Sequence, residues 1–182
     1  GPVTAPEDFG MGGPDDYGYI YVDSDTVCGI APTYGWIDIK AIGTQVENLG
    51  DDNVVGPYAI GFDFPYYWYS VSEFFIGSNG YIAFHDNALD ASPFQHMPAV
   101  ENPNNLLSPM LSDLNPEGGG SVWVWNNSDT CIIQFDSLPF WNTGGNNTFE
   151  IILSRPDSTI RFQYKEQSGQ PYNGWAPDNN QT

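Results

Sequence analysis

The sequence predicts an all-β fold: two antiparallel sheets packed as a sandwich, with long loops and little helix. Three observations predict it. Short runs alternate apolar and polar residues, the period of a strand with one wet face. Turn formers punctuate those runs, with 20 Gly and 15 Pro in 182 residues. Aromatic residues reach 15% of the chain, which together with Gly and Pro suits many short strands joined by turns.

Residues 1–12 read as an extended lead-in, 13–167 as the sandwich domain and 168–182 as a polar tail. Gly1-Pro2 matches the pair left by a tag-removing protease and is set aside from fold reasoning. Tyr17–Val22 alternates and predicts the first strand, and Asp23–Tyr34 reads as a loop. In Trp36–Ile42, Ile37 and Ile39 share one face opposite Asp38 and Lys40. Gly50-Asp51-Asp52-Asn53 is a turn.

The central stretch is Gly61–Phe84. Ile60, Phe62 and Phe64 alternate with Gly61 and Asp63, and Pro65 is expected to end that ladder for want of an N–H. Phe74–Gly77 and Tyr81–Phe84 flank Ser78-Asn79-Gly80, which predicts a hairpin closed by a type I′ turn at Asn-Gly. Asp86–Asn105 carries Pro93, Pro98 and Pro103 and reads as a long functional loop, or one with a short helix over Leu89–Gln95. Leu106–Leu111 predicts a strand, with Pro109 marking an edge or a bulge.

Two hairpins close the chain: Val122–Asn126 with Thr130–Asp136, and Phe149–Ser154 with Thr159–Lys165. In the last strand Ile160, Phe162 and Tyr164 face one way, and Arg161, Gln163 and Lys165 face water. The expected core is Ile60, Phe62, Phe64, Phe74, Ile76, Ile82, Phe84, Ile151, Leu153, Ile160 and Phe162.

The run F-x-F-P-Y-Y followed by F-F-I-G-S-N-G-Y-I-A-F, residues 62–67 and 74–84, resembles the nidogen-type (NIDO-like) β-sandwich. It is closest to the bacterial version found as an accessory domain in secreted and surface proteins. Further segments fit in order: Gly13–Tyr19, Asp23–Asp25, Leu49–Asp52, Asn105–Pro109, Ser112–Pro116 and Gly119–Trp123. The resemblance spans about residues 13–165. It implies an extracellular interaction or accessory module with no catalytic residues.

With 4 Lys+Arg against 23 Asp+Glu, the formal net charge is −19. That argues against nucleic acid, whose phosphates need cationic partners, and against anionic lipid. No apolar run approaches the roughly 20 residues of a membrane helix, so no membrane insertion is expected. The acidity suits solubility, divalent cations, or both.

Ca²⁺ takes oxygen ligands from carboxylates and loop carbonyls. The candidates are Asp15, Asp16, Asp23, Asp25, Asp51, Asp52 and Asp113, with Glu117 near the last. The alternative is that these are solvated turn acids. Tyr66, Tyr67, Trp68, Trp123, Trp125, Trp141 and Trp175 are candidates for binding a protein or a glycan, or else they fill the core. Cys28 and Cys131 either pair in an oxidising compartment or stand as separate thiols. Asn126, Asn146 and Asn180 begin N-x-S/T sequons. His85 and His96, the two histidines, come with no nucleophile or metal motif.

The leading reading is a non-catalytic adhesion or interaction module, extracellular or at the cell surface. Its partner is an extracellular protein or a glycan. A carbohydrate-binding module is one rival and would need a row of exposed rings. A hydrolase domain is the other and would need a convergent nucleophile and base. The resembled family continues past the position of Thr182 with a strand that completes a sheet. The chain is therefore expected either to continue, or to leave an edge filled by a neighbouring molecule or by its own residues 3–12. The second case implies self-assembly by strand addition.

Overall fold

The computed structural model describes residues 10–26, 29–84 and 104–172. The chain divides into two compact units, Gly1–Trp36 and Ile37–Thr182.

In the first unit β1 (Met11–Gly12) pairs antiparallel with β2 (Tyr21–Val22). The strand expected over Tyr17–Val22 shrinks to its last two residues. Asp15 is the reason: its Oδ1 accepts the N–H groups of Tyr17, Gly18 and Tyr19 and winds that stretch into a turn.

The second unit is the sandwich. Its strands are β3 (Thr44–Gln45), β4 (Val54–Tyr66), β5 (Tyr69–Gly77), β6 (Tyr81–Ala83), β7 (Leu106–Leu107), β8 (Ser121–Asn126), β9 (Thr130–Phe140), β10 (Gly144–Ser154) and β11 (Thr159–Ser168). One sheet runs β4-β5-β6-β7 and the other β11-β10-β9-β8-β3, all pairs antiparallel. Among the described residues there is no α-helix, only a 3₁₀ turn at Pro116–Gly118.

Side chains of both sheets share one core: Ile60, Phe64, Phe74 and Ile76 from one, Ile133, Phe135, Phe149, Ile151 and Leu153 from the other. Phe135 and Phe149 stack at 4.6 Å between centroids. Alternation explains the inward set, since successive strand residues point to opposite faces.

Both C-terminal hairpins form; β10–β11 holds the expected register, with Leu153 opposite Ile160, whereas in β8–β9 Asn126 lies opposite Cys131, one residue on from the pairing that a turn over 127–129 would give. The alternation did not disclose that β9 runs on to Phe140 and turns at Trp141–Thr143 into β10, where Gly144 pairs with Phe140.

Five further expectations need correction. The strand expected over Leu106–Leu111 keeps only Leu106–Leu107. Pro65 does not end its strand: β4 is an edge strand, so the missing N–H costs no ladder bond, and Pro65 pairs opposite Ser70. The β5–β6 turn has three residues, because Gly77 pairs with Tyr81. Only Gly80 has positive φ there, at 80°. Trp36–Ile42 forms no strand; within the second unit Ile39 is fully buried while Ile37 is 42% exposed. Finally, Phe162 is 39% exposed and Ile160 half-buried, whereas Gln163, expected in water, is buried. β11 is the outermost strand, so its inward side chains have neighbours on one side only.

Among the described residues β11 pairs only with β10. The expected helix over Leu89–Gln95 and its long loop lie outside the described residues.

Phe64 and Phe162 give a paired test. Phe64→Ala should cost ~3–5 kcal/mol in urea unfolding. Phe162→Ala should cost less than about 1.5 kcal/mol, since over a third of the ring is already in water.

Candidate functional site

At one corner of the sandwich, three connecting segments meet. They are the β3–β4 loop, the β5–β6 turn, and the chain between β7 and β8. Asn79 joins them. Its Nδ2 donates to Asp52 Oδ1 at 2.9 Å, and its Oδ1 accepts the Leu114 N–H at 2.8 Å. Its backbone carbonyl accepts the Ser112 N–H at 3.3 Å. Asn79 and Ser78 are fully buried, so these bonds form away from competing water. A side chain at Gly80 would place its Cβ 1.9 Å from the Met110 carbonyl oxygen. That close approach admits only glycine.

Asn53 braces the first loop. It receives the Gly50 N–H on Oδ1 and donates Nδ2 to the Asn48 carbonyl. Its own N–H reaches Ser78 Oγ at 3.1 Å. Asn115 caps the 3₁₀ turn by accepting the Gly118 N–H.

This frame gathers Asp51, Asp52 and Asp113, each offering a carboxylate oxygen within 4.8 Å of the others. Asp51 Oδ1 is buried with no hydrogen-bond partner among the described residues. Burial raises the Asp113 carboxyl to about 6, and the like charges of Asp52 and Asp51 push the same way. Asp51 is also raised, by burial first and then by Asp52 and Glu117. The donor set is all oxygen, the chemistry of a hard cation such as Ca²⁺ rather than of zinc.

The other candidate acids serve turns in the first unit. For Asp15, desolvation acts to raise the pKa, but the N–H donors of Gly18, Tyr19 and Tyr17 outweigh it and the carboxyl lies below its usual range. Asp23 Oδ1 accepts from the Asp25 N–H and Thr26 Oγ1. Asp16 and Asp25 are exposed.

The aromatic candidates scatter. Tyr66 is buried, in edge-to-face contact with Tyr67 at 4.8 Å. Trp68 is 77% exposed at the tip of the β4–β5 turn. Trp123 and Trp125 are half-buried on the outer face of the five-stranded sheet against Ile39, Ile132 and Ile152. Trp141 packs edge-on against Tyr172 at 5.0 Å.

Cys131 is fully buried, and burial lifts its thiol to about 12. Asn126 ends β8 and donates to the Ala59 carbonyl, while Asn146 lies within β10. Trp175, Asn180, Cys28, His85 and His96 lie outside the described residues.

Sequence reasoning missed Asn79 and Asn53. At Asn79 the Asn-Gly pair signals backbone freedom; the signal for its role is a side-chain amide set between two apolar strands, which must find partners when buried.

A scan against family models matches residues 30–178 to a family described as NIDO related. No curated protein and no solved structure matches the chain.

Two outcomes test this corner. Asn79→Ala strands a buried N–H and frees a loop, and should cost about 2–3 kcal/mol. Asp113 binds its proton more tightly folded than unfolded, its pKa being raised from 3.8 to about 6. Its stabilising contribution is therefore complete below about 4 and lost as pH rises through about 6. In EDTA, melting temperature should fall across that window, and Asp113→Asn should flatten the slope.

Proposed function

This chain belongs to the NIDO-related family, and on that premise we propose that it is a non-catalytic extracellular module for adhesion or partner binding. Its acidic corner takes up Ca²⁺ to hold three loops in one arrangement. Family membership supports the extracellular interaction role. The observation that carries the metal is the convergence of Asp51, Asp52 and Asp113, with a buried Asp51 oxygen that has no partner.

Three carboxylates supply up to six oxygens, and Asp52 is exposed, so water completes the shell. The cation offsets the mutual repulsion that raises Asp113, and it ties the β3–β4 loop to the chain before β8.

The partner is an extracellular protein. Trp68, standing out at a hairpin tip, is a suitable aromatic anchor. The edge of β11, unpaired among the described residues, offers a second contact, where a partner's strand can add. The glycan reading is less well supported, because the described rings make no exposed row.

Thermal melts in EDTA and in millimolar Ca²⁺ provide the test. At a hundredfold excess over Kd the ion adds about 2.7 kcal/mol. For a domain of this size that is a rise of roughly 5–10 °C. Asp51→Asn with Asp113→Asn should abolish the rise. Equal melting temperatures in the two buffers would remove the metal from the reading. Capture of the native partner should weaken in EDTA and with Trp68→Ala.

A further inference from the structure

A second acidic group is placed quite differently. On the outer face of the five-stranded sheet, Gln134, Glu150 and Gln163 stand side by side on β9, β10 and β11. All three are buried, Glu150 completely. Within the same unit, Ile37–Lys40 bonds to this row. The Ile39 N–H donates to Gln134 Oε1 at 2.9 Å, and the Ile37 N–H to Glu150 Oε1 at 3.3 Å. Gln163 Nε2 donates to the same Glu150 oxygen at 2.7 Å. The fully buried Ile39 packs on Ile132 and Ile152, with Trp123 and Trp125 beside them. Beyond it, Lys40 Nζ meets Asp136 Oδ2 at 2.9 Å.

Glu150 Oε2 is buried and has no hydrogen-bond partner among the described residues. A carboxylate in that position has lost its water and recovered only part of its hydrogen bonding, which is costly; a neutral carboxylic acid loses far less. Once the covering segment lifts, water reaches the group and the charged form is again favourable.

We propose that Ile37–Lys40 is a strap whose closure is coupled to protonation of Glu150, so that it loosens as the pH rises. Burial sets the direction, raising the Glu150 carboxyl from 4.5 to about 7. The Ile37 and Gln163 donors act against the shift, Asp38 adds to it, and Arg161 opposes it. The charged groups around Glu150 are Asp38 and Lys40 on the strap, Asp136 on β9, and Arg161 and Lys165 on β11. Asp38 is lowered, chiefly by the Lys40 N–H, and Lys40 is raised, chiefly by Asp136, so both keep their charges near neutrality. Glu150 is the group that changes.

The folded, strapped state holds the proton more tightly than the open state. Closure is therefore strongest below about 4.5, weakens as pH rises toward 7, and levels off above it. Release uncovers Ile132 and Ile152 and frees the chain segment that follows Trp36. This inference is independent of the metal reading.

Amide exchange measured between pH 5 and 8.5, corrected for intrinsic rates, tests it. Protection at Ile37 and Ile39, relative to Ile133 in β9, should fall on the order of a hundredfold over that range, tenfold for each unit of linked titration. Glu150→Gln mimics the neutral acid and should make the ratio flat and high. Ile39→Ala should open the strap and move the Glu150 titration, followed by carboxyl ¹³C NMR, toward 4.5. A flat ratio in the unaltered protein, a slope that survives Glu150→Gln, or a Glu150 titration unmoved by Ile39→Ala would each overturn the proposal.

Discussion

The turn at Ser78-Asn79-Gly80 is the constraint on which the acidic corner depends. The chain beyond β7 is pinned on one side by an antiparallel bridge of Leu114 to Phe140, with the Trp141 N–H bonded to the Asp113 carbonyl, and the β3–β4 loop touches the turn where the Ser78 N–H meets the Asn53 carbonyl. What joins the two to each other is one buried amide, with a glycine beside it that lets the Met110 carbonyl come close. A side chain that offers a donor and an acceptor in opposite directions can bridge two segments; an aliphatic one of similar size cannot. Asp52 is tied to the turn directly, and Asp113 through its neighbour Leu114 and through its own carbonyl, which accepts the Trp141 N–H.

The segments that carry the nidogen-like resemblance include Leu49–Asp52, Gly77–Gly80 and Ser112–Pro116, widely spaced along the chain. In the folded chain they are the pieces of this one corner. Their common role is therefore local: each contributes either a carboxylate or the amide that positions one. The fold alone would not imply binding there, since a sandwich supports many functions and the site must be argued from its own chemistry.

Excess negative charge is managed in two ways. Most of the described acids are exposed, where water screens them, as with Asp16 and Asp25. At the acidic corner and under the strap the fold instead raises carboxyl pKa values. The causes differ: burial aided by like charge at Asp113, and burial beneath a strap at Glu150. On the readings proposed above, a cation would answer the first and a proton the second, so the two sites would respond to different features of the surroundings.

By itself the sequence determined the fold class, the two C-terminal hairpins with the register of the last, and most of the core. Those features depend on local periodicity and turn chemistry, which adjacent residues encode. It also named Asp51, Asp52 and Asp113, though among other acids of equal standing. Tertiary structure decided which carboxylates meet, because that depends on contacts between segments far apart in the chain. It decided that Pro65 is tolerated, since only sheet order makes β4 an edge. It also decided that Gln163 is buried and Phe162 is not. Alternation assigns residues to two faces, but what covers each face is set by elements elsewhere: a strap from Ile37–Lys40 on one side, and the limited reach of the facing sheet at β11 on the other. Glu150 left a trace in the sequence, a single acid within the apolar run Phe149–Leu153, whose meaning appears only once the strap is seen to close over it.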